Sequence, residues 1–341
     1  MKTINNEETS EGEVECVNKK LNYKILSLFA GIGGIDLGFI TAKHSKLSYE
    51  IICATDHDLN CINTYNTIIR KNKPSFILSD IQKLDINTLP SFDILTGGFP
   101  CQAFSIAGNR LGFKDKKIGG NLFFCIAKIL EIKKPIAFLL ENVKNLETHD
   151  NKKTFKIITE TLEKIGYHIK FKVLNTMKYG NIPQNRERIF IVGFLNKTSF
   201  DNFSFPKEIP LKKNFKEYLE SKVDDKYYYR EDKLLYEKIK NYITSEDTVY
   251  QWRRKYVRVN KKGVIPTLTA NMGSGGHNVP IIKDLHGIRK LTPKECFLFQ
   301  GFPKNITLPT NLSDSILYHQ AGNSVSVPVV KRIAKNILKV L

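Results

Sequence analysis

No run of apolar residues in this chain is long enough to cross a bilayer. The first twenty residues, Met1 to Lys20, are polar and lean acidic, without the basic-then-apolar order of a secretion signal. These two absences make the cytoplasm the expected compartment. Cysteine is sparse. The six residues Cys16, Cys53, Cys61, Cys101, Cys125 and Cys296 include no C-x-x-C pair, which argues against a structural zinc site, and no metal is expected. In a reducing compartment they stay as thiols, most of them buried as small hydrophobes. Internal repeats and low-complexity tracts are also missing. What remains is an ordinary globular chain of 341 residues, enough for one large domain or two modest ones. Acid is in short supply too: 34 Asp and Glu stand against 53 Lys and Arg, a formal charge of +19. Such an excess favours a polyanionic partner, most commonly nucleic acid, although a lysine-rich solvated surface gives the same count.

Apolar runs alternate with helical patterns as far as residue 195. Ile25 to Phe29, Glu50 to Ala54, Phe76 to Leu78, Phe92 to Leu95, Ile136 to Leu140, Tyr167 to Leu174 and Arg188 to Phe194 read as strands. Asp58 to Arg70, Leu122 to Ile132 and Thr154 to Lys164 read as helices. Strands separated by helices predict a Rossmann-like α/β unit over 23–195, a mostly parallel sheet covered on both faces. Residues 196–290 differ: they are rich in lysine and tyrosine and irregular, and predict a smaller second domain. Residues 291–314 then act as a hinge. Residues 315–341 return to the first unit with a helix near Val325 to Val340, whose Val330, Ile333, Ile337 and Val340 share one face. Residues 1–22 read as a flexible lead-in.

The first strand runs into Phe29-Ala30-Gly31-Ile32-Gly33-Gly34. Glycines there let the backbone approach a ligand, with the next helix N-terminus facing it. Asp56 follows the second strand, where an acid can accept from both hydroxyls of a ribose. His57 can lie against an adenine ring, and Asp80, after the third strand, can take the exocyclic amine. The spacing is not G-x-G-x-x-G, which disfavours a nicotinamide cofactor, and a ligand-free turn would look the same. Gly97-Gly98-Phe99-Pro100-Cys101-Gln102 is sharper. It follows the fourth strand, on the rim where open α/β sheets gather their sites. Pro100 fixes the local backbone and so presents the Cys101 thiol rigidly. Most single cysteines are inert core residues, but this glycine-rich approach and the loop Ser105 to Lys117 argue against a packed core. Leu140-Glu141-Asn142-Val143 ends the fifth strand on the same rim. There Glu141 can pair with a protonated ring nitrogen or, equally, form a surface ion pair. Gln184-Asn185-Arg186-Glu187-Arg188 opens the last strand. Arg186 and Arg188 alternate and so point to opposite faces. One is expected to anchor the site and the other to meet phosphate, unless they form an exposed basic edge.

In their order along the chain these motifs resemble the DNA cytosine-5 methyltransferases of prokaryotic restriction-modification systems. Two further motifs support this, Arg289-Lys290-Leu291-Thr292-Pro293-Lys294-Glu295-Cys296 and Gln320-Ala321-Gly322-Asn323-Ser324-Val325. The resemblance covers most of the chain. It implies the S-adenosylmethionine-dependent version of the Rossmann-like fold, a target-recognition domain over 196–290, and duplex DNA as partner. It also implies that Cys101 adds to carbon 6 of cytosine, which makes carbon 5 reactive enough to take the sulfonium methyl. Glu141 then stabilises charge near ring nitrogen 3, Arg188 holds base and carboxylate, and Phe99 and Pro100 line the pocket. Phe29, Gly31, Gly33, Gly34, Asp56, His57, Asp80, Ile81 and Asn323 frame the cofactor.

The target atoms lie inside a stacked duplex, so the base must flip out. The loop Ser105 to Lys117, with Gly108, Gly112 and four basic residues, is similar to the family's mobile loop, and Gln102 and Ser105 face the DNA. Trp252 to Lys262 holds six basic residues and no acid, with Trp252 and Tyr256 interleaved. That mix suits groove and phosphate contact and nominates Arg253, Arg254 and Arg258. Thr267-Leu268 resembles a family element that touches the DNA backbone near the flipped base, and Gly273 to His277 is a further recognition candidate. The segment Tyr250 to Asn278 is similar to domains that read CC(N)GG-like palindromes. Two departures stand out. His57 replaces the tryptophan many relatives stack on adenine, and Asp56 is one methylene shorter than the usual glutamate.

Other functions compete with this one. The same chemistry on tRNA needs less of a basic variable domain. A non-catalytic regulator needs an added DNA-binding segment, and 22 residues are too few. A nicotinamide oxidoreductase needs another glycine pattern. The expected enzyme works as a monomer and pairs with a cognate restriction endonuclease.

Overall fold

The computed structural model describes residues 22–69, 74–100, 122–260, 262–274 and 278–341. Cys101, Gln102 and the loop Ser105 to Lys117 lie outside the described residues, as do most of the lead-in and Gly275 to His277.

Seven strands form the main sheet: β1 (Asn22–Leu28), β2 (Ser48–Asp56), β3 (Ser75–Leu78), β4 (Ile94–Gly98), β5 (Ala137–Val143), β6 (His168–Asn175) and, after the two-residue β7 (Gln184–Asn185), β8 (Glu187–Phe194). Their order is β3-β2-β1-β4-β5-β8-β6. The first five are mutually parallel, and β8 is antiparallel to both its neighbours. The central strands bury both faces, as at Leu26 and Leu28 in β1 and Phe138, Leu139 and Leu140 in β5, because helices cover both sides. Those helices include α1 (Gly34–Ile40), α2 (Leu59–Ile68), α3 (Leu122–Lys133) and α4 (Lys153–Lys164). The chain builds outward from β1 in one direction through β2 and β3, and in the other through β4 and β5. The crevice at the carboxyl ends of β1 and β4 is therefore a topological switch point, where such sheets bind ligands. Both glycine motifs sit there.

The fourth strand runs over Ile94–Gly98 rather than Phe92 to Leu95. Phe92 is already turned into the core, and Asp93 holds the edge of β1 by accepting from the Lys24 amide at 2.8 Å. Gly97 and Gly98, which look like a turn in sequence, pair with Leu140 and Glu141 as strand residues.

Residues 196–290 are not irregular throughout. After the short helices α5 (Thr176–Gly180), α6 (Lys197–Asn202) and α7 (Tyr236–Ile239) come β9 (Val249–Trp252), β10 (Val257–Asn260), β11 (Ile265–Pro266), β12 (Ile281–Asp284) and β13 (Gly287–Lys290). Four of these form an antiparallel sheet, β10-β9-β12-β13, over a small cluster of Ile239, Ile243, Tyr250, Val257, Ile281 and Ile288. Strands of four residues carry too little period-two signal to be read from sequence. Other parts of the region, such as Phe215, Tyr218, Leu268 and Met272, join the main core instead, and β11 pairs with β7.

The chain then enters α8 (Pro293–Phe299), α9 (Asp314–Asn323) and α10 (Val327–Leu338). Thr292 and Glu295 cap α8 reciprocally. Glu295 also takes both Nη atoms of the buried Arg289, at 2.8 and 2.9 Å, while Arg289 Nε donates to Asp284 at 2.6 Å. The Arg289-to-Cys296 motif is thus a lock between the small sheet and the main core. Val330, Ile333 and Ile337 bury the expected face of α10.

Candidate active site

The rim is assembled at the ends of β4, β5 and β8. Strand register places Gly98 beside Glu141, and Val143 beside Arg188. The Glu141 carboxylate and the Arg188 Nε lie 3.1 Å apart, with side chains only 10% and 16% exposed. Burial raises the Glu141 pKa; the nearby Arg188 and Arg186 guanidiniums oppose that rise. Asn142, next along β5, donates through Nδ2 to the Phe99 carbonyl at 2.8 Å. That bond fixes the peptide leading into Pro100, which is exposed, and so fixes the chain immediately before Cys101. Phe99 does not face the rim among the described residues: its ring is buried in the core beside Phe123, at 6.0 Å between centroids.

Arg186 and Arg188 do not divide as anchor and phosphate contact. Arg188 is engaged by Glu141. Arg186 is 2% exposed and donates to three backbone carbonyls: Leu268 at 2.6 Å, Gly322 at 3.1 Å, and Ser324. Burial and the Arg188 charge push its pKa down, and Glu141 opposes them. It joins three segments remote in sequence. The crossing is close: a Cβ at Gly322 would stand 2.2 Å from the Thr269 carbonyl carbon, so only glycine fits there.

On the other side of the switch point, Phe29 and Gly31 leave β1 with positive φ of 52° each. Among the described residues nothing lies within 4 Å of where a Cβ on Gly31 would sit, so the turn presents an open backbone face. Gly33 caps α1 and Gly34 opens it, pressed against the Ser324 hydroxyl. That hydroxyl is buried and has no hydrogen-bond partner among the described residues. Asp56 does not stand free for two ribose hydroxyls. Its Oδ2 accepts from the Gly31 amide at 2.8 Å, and Oδ1 from the His57 and Asp58 amides at 2.8 and 3.0 Å. Of its four lone-pair positions, only the second one on Oδ2 remains for a ligand. His57 is exposed, and Asp80 caps the short turn at Ile81 through one oxygen, accepting from the Gln82 amide at 3.0 Å. Ile81 is buried beneath it. Asn323 ends α9 exposed, its amide 3.0 Å from His319 Nε2. Gln320, one turn earlier, ties α9 to α2 through Thr64 and the Asn60 carbonyl. An open glycine face, an acid with a free lone pair and an orphaned buried hydroxyl at a switch point fit a nucleoside-bearing cofactor.

A cleft of about 1170 Å³ opens between β9–β10 and the β7–β11 pair. Arg253, Arg254, Arg258 and Lys262 line it, with Asn185 and Thr267 on the facing side, and no acidic residue is among its described lining. The Thr267 hydroxyl donates to the Asn185 carbonyl at 2.6 Å. The cleft therefore runs up to the segment that carries Arg186 and Arg188.

A family model described as C-5 cytosine-specific DNA methylase matches residues 23–339. The chain belongs to this family. The methylase is 54% identical over 319 residues to the Type II methyltransferase M.Bsp6I of a Bacillus species, covering 93% of this chain and 98% of that protein. It is 34% identical over 346 residues to the Type II methyltransferase M.HhaI of Haemophilus parahaemolyticus, covering 95% and 97%. The structure of S. pombe Dnmt2 methyltransferase superposes with a TM-score of 0.68 at 20% identity, over 93% of this chain and 98% of that one, a likeness of fold. The methylase thus has the mixed α/β methyltransferase architecture, with a smaller antiparallel sheet beside it.

Two positions in the methylase escaped the residue-by-residue reading. Asn142 and Gln184 both lie inside recognisable motifs, yet their work is done on backbone. Gln184 is fully buried, donates to the Phe299 carbonyl at 2.7 Å and accepts from the Leu268 amide at 3.3 Å. For Asn142 the available signal was a polar residue near the end of a mostly apolar strand; Gln184, in a strand of two polar residues, offered none.

Proposed function

We propose that this methylase transfers a methyl group from S-adenosylmethionine to carbon 5 of a cytosine flipped out of a short duplex site, with Cys101 as covalent nucleophile. It acts as a monomer in the cytoplasm and protects DNA from a cognate restriction endonuclease. Residues 23–195 form the catalytic unit and 196–290 the recognition unit, connected by 291–314, with 315–341 returning to the catalytic core. The observation that carries the reading is the buried Glu141–Arg188 pair, one strand away from the chain that Asn142 pins just before Cys101.

The chemistry follows from those groups. Carbon 5 of cytosine is a weak nucleophile until a thiolate adds to carbon 6. Glu141 stabilises the charge that builds at ring nitrogen 3 as that addition occurs, burial easing its uptake of a proton there, and Arg188 steadies its carboxylate form. Four other thiols are poor candidates. Burial pushes Cys53 up to about 11 and raises Cys61, Cys125 and Cys296, so their thiolates are scarce. The open face at Gly31, with Phe29, Gly33, Gly34, Asp56, His57, Asp80, Ile81 and Asn323 around it, holds the cofactor. Bound there, S-adenosylmethionine would supply the electrophilic sulfonium methyl; with the methyl on carbon 5, a base removes the carbon 5 proton and the Cys101 thiolate is expelled from carbon 6. Arg253, Arg254, Arg258 and Thr267, with Gln102 and Ser105, face the DNA. Bisulfite sequencing of DNA from cells expressing the protein tests the reading. Conversion-resistant cytosines confined to one short sequence are expected, and their absence rejects it.

A further inference from the structure

Among the described cations of the cleft, Arg253 is the one held by a side-chain amide. β9 and β10 end their register at Trp252 and Val257, which leaves residues 253–256 as the hairpin tip. The tip is closed by the Arg253 amide donating to the Tyr256 carbonyl at 2.9 Å, and Arg254 turns it with φ of 65°. Behind Arg253 sits Gln251, 3% exposed. Its Nε2 donates to the Asn278 carbonyl at 3.2 Å, which turns its oxygen toward Arg253, and Arg253 Nη1 donates to that oxygen at 3.4 Å. Elsewhere Arg188, Arg230 and Arg289 rest on carboxylates. Arg253 is aimed by a neutral acceptor and keeps its full charge, while its side chain stays exposed on the cleft wall.

A guanidinium has five donors and no acceptor. With one donor spent on Gln251, its remaining edge calls for two acceptors side by side. In the major groove guanine offers that pair, O6 and N7. Adenine shows one acceptor beside a donor, thymine one acceptor beside a methyl, and cytosine a donor. Phosphate also takes arginine, but it accepts from a wide range of directions, so a buried amide spent on aiming adds little there. We infer that Arg253 reads a guanine in the recognition sequence, and that Gln251 is a positioning residue which aims it. The inference rests on the reading of this chain as a site-specific DNA methylase. Arg258 and Lys262 on the same wall are left to the phosphates.

The test uses the full chain and a duplex library randomised around cytosine, methylated in vitro and read by bisulfite sequencing. Wild type is expected to require guanine at a defined position. Arg253→Ala should lose that preference roughly 5- to 150-fold while keeping its preferences at other positions. Gln251→Ala should lose part of the same preference with an unchanged melting temperature, which a merely structural role would not produce. Replacing that guanine by 7-deazaguanine, which exchanges the N7 acceptor for C–H, should slow wild type and leave Arg253→Ala indifferent. An Arg253→Ala variant that weakens on all sequences alike and flattens the salt dependence makes Arg253 a phosphate contact and overturns the inference. A wild type that methylates no cytosine in the library overturns the underlying reading instead, and this inference with it.

Discussion

Charge is handled in opposite ways on the two working surfaces of the molecule. At the rim of the main sheet, Glu141 meets Arg188, Asp56 accepts three backbone amides, and Arg186 is spread over three carbonyls. In the cleft, Arg253, Arg254, Arg258 and Lys262 stand with no acid among the described lining. Under the proposed function the difference follows from what each surface waits for. A rim that handles protons on a single base needs its groups fixed before the substrate arrives, because unfixed dipoles must reorganise during the reaction. A cleft that receives a polyanion gains by leaving its cations unpaired, since the phosphates supply the counter-charge and release their own ions.

Glu141→Gln is the sharpest way to break the catalytic half of this contrast. It removes the transferable proton but keeps the shape, and should lower single-turnover methyl transfer by about 10²- to 10⁴-fold while DNA binding persists. Next is Arg188→Ala. It leaves a carboxylate unpaired in a mostly buried site, at a cost of about 3–5 kcal/mol in denaturant melts near neutral pH. The loss should shrink in acid, where Glu141 takes up a proton.

A smaller effect is expected at Asp36 of α1, a buried acid with no cation among its described partners. It is fully buried under the glycine turn and accepts from the Ser27 and Tyr65 hydroxyls at 2.6 Å each. Burial raises its pKa from 3.8 to about 6 against those bonds. Because the folded-state value is the higher one, the protonated form favours folding. That contribution, about 3 kcal/mol, is complete below pH 4 and lost as pH rises through 6. Asp36→Asn should flatten the stability profile between those values in urea titrations. The smallest effect belongs to the cleft. Arg258→Ala should weaken binding to cognate and scrambled duplexes alike, and lower the slope of log affinity against log salt by about 0.9. A change confined to the cognate duplex would move Arg258 into the reading of bases.

The parallel sheet, its helices and the rim were legible because continuous apolar strands and glycine turns are local signals. Glu141 and Asp56 were found at strand ends for the same reason. What escaped depends on chain segments remote in sequence. No local pattern reveals that Arg186 reaches Leu268 and Ser324, that Asp56 is largely occupied by backbone amides, or that Asn142 holds Phe99. The small antiparallel sheet was missed because its strands are short and lean on their own cluster of six buried residues. Phe99 was assigned to the pocket from its place beside Cys101, but its ring turns into the core, which sequence adjacency does not reveal.

Covalent trapping tests the account's central claim most directly. A duplex carrying 5-fluorocytosine at the methylated position cannot release the fluorine as a proton, so the adduct with the nucleophile persists. With S-adenosylmethionine present, wild type should give a DNA-linked band on a denaturing gel, and Cys101→Ser should give none while remaining folded and able to bind the duplex. The absence of a band from wild type, or its persistence in Cys101→Ser, would contradict the assignment.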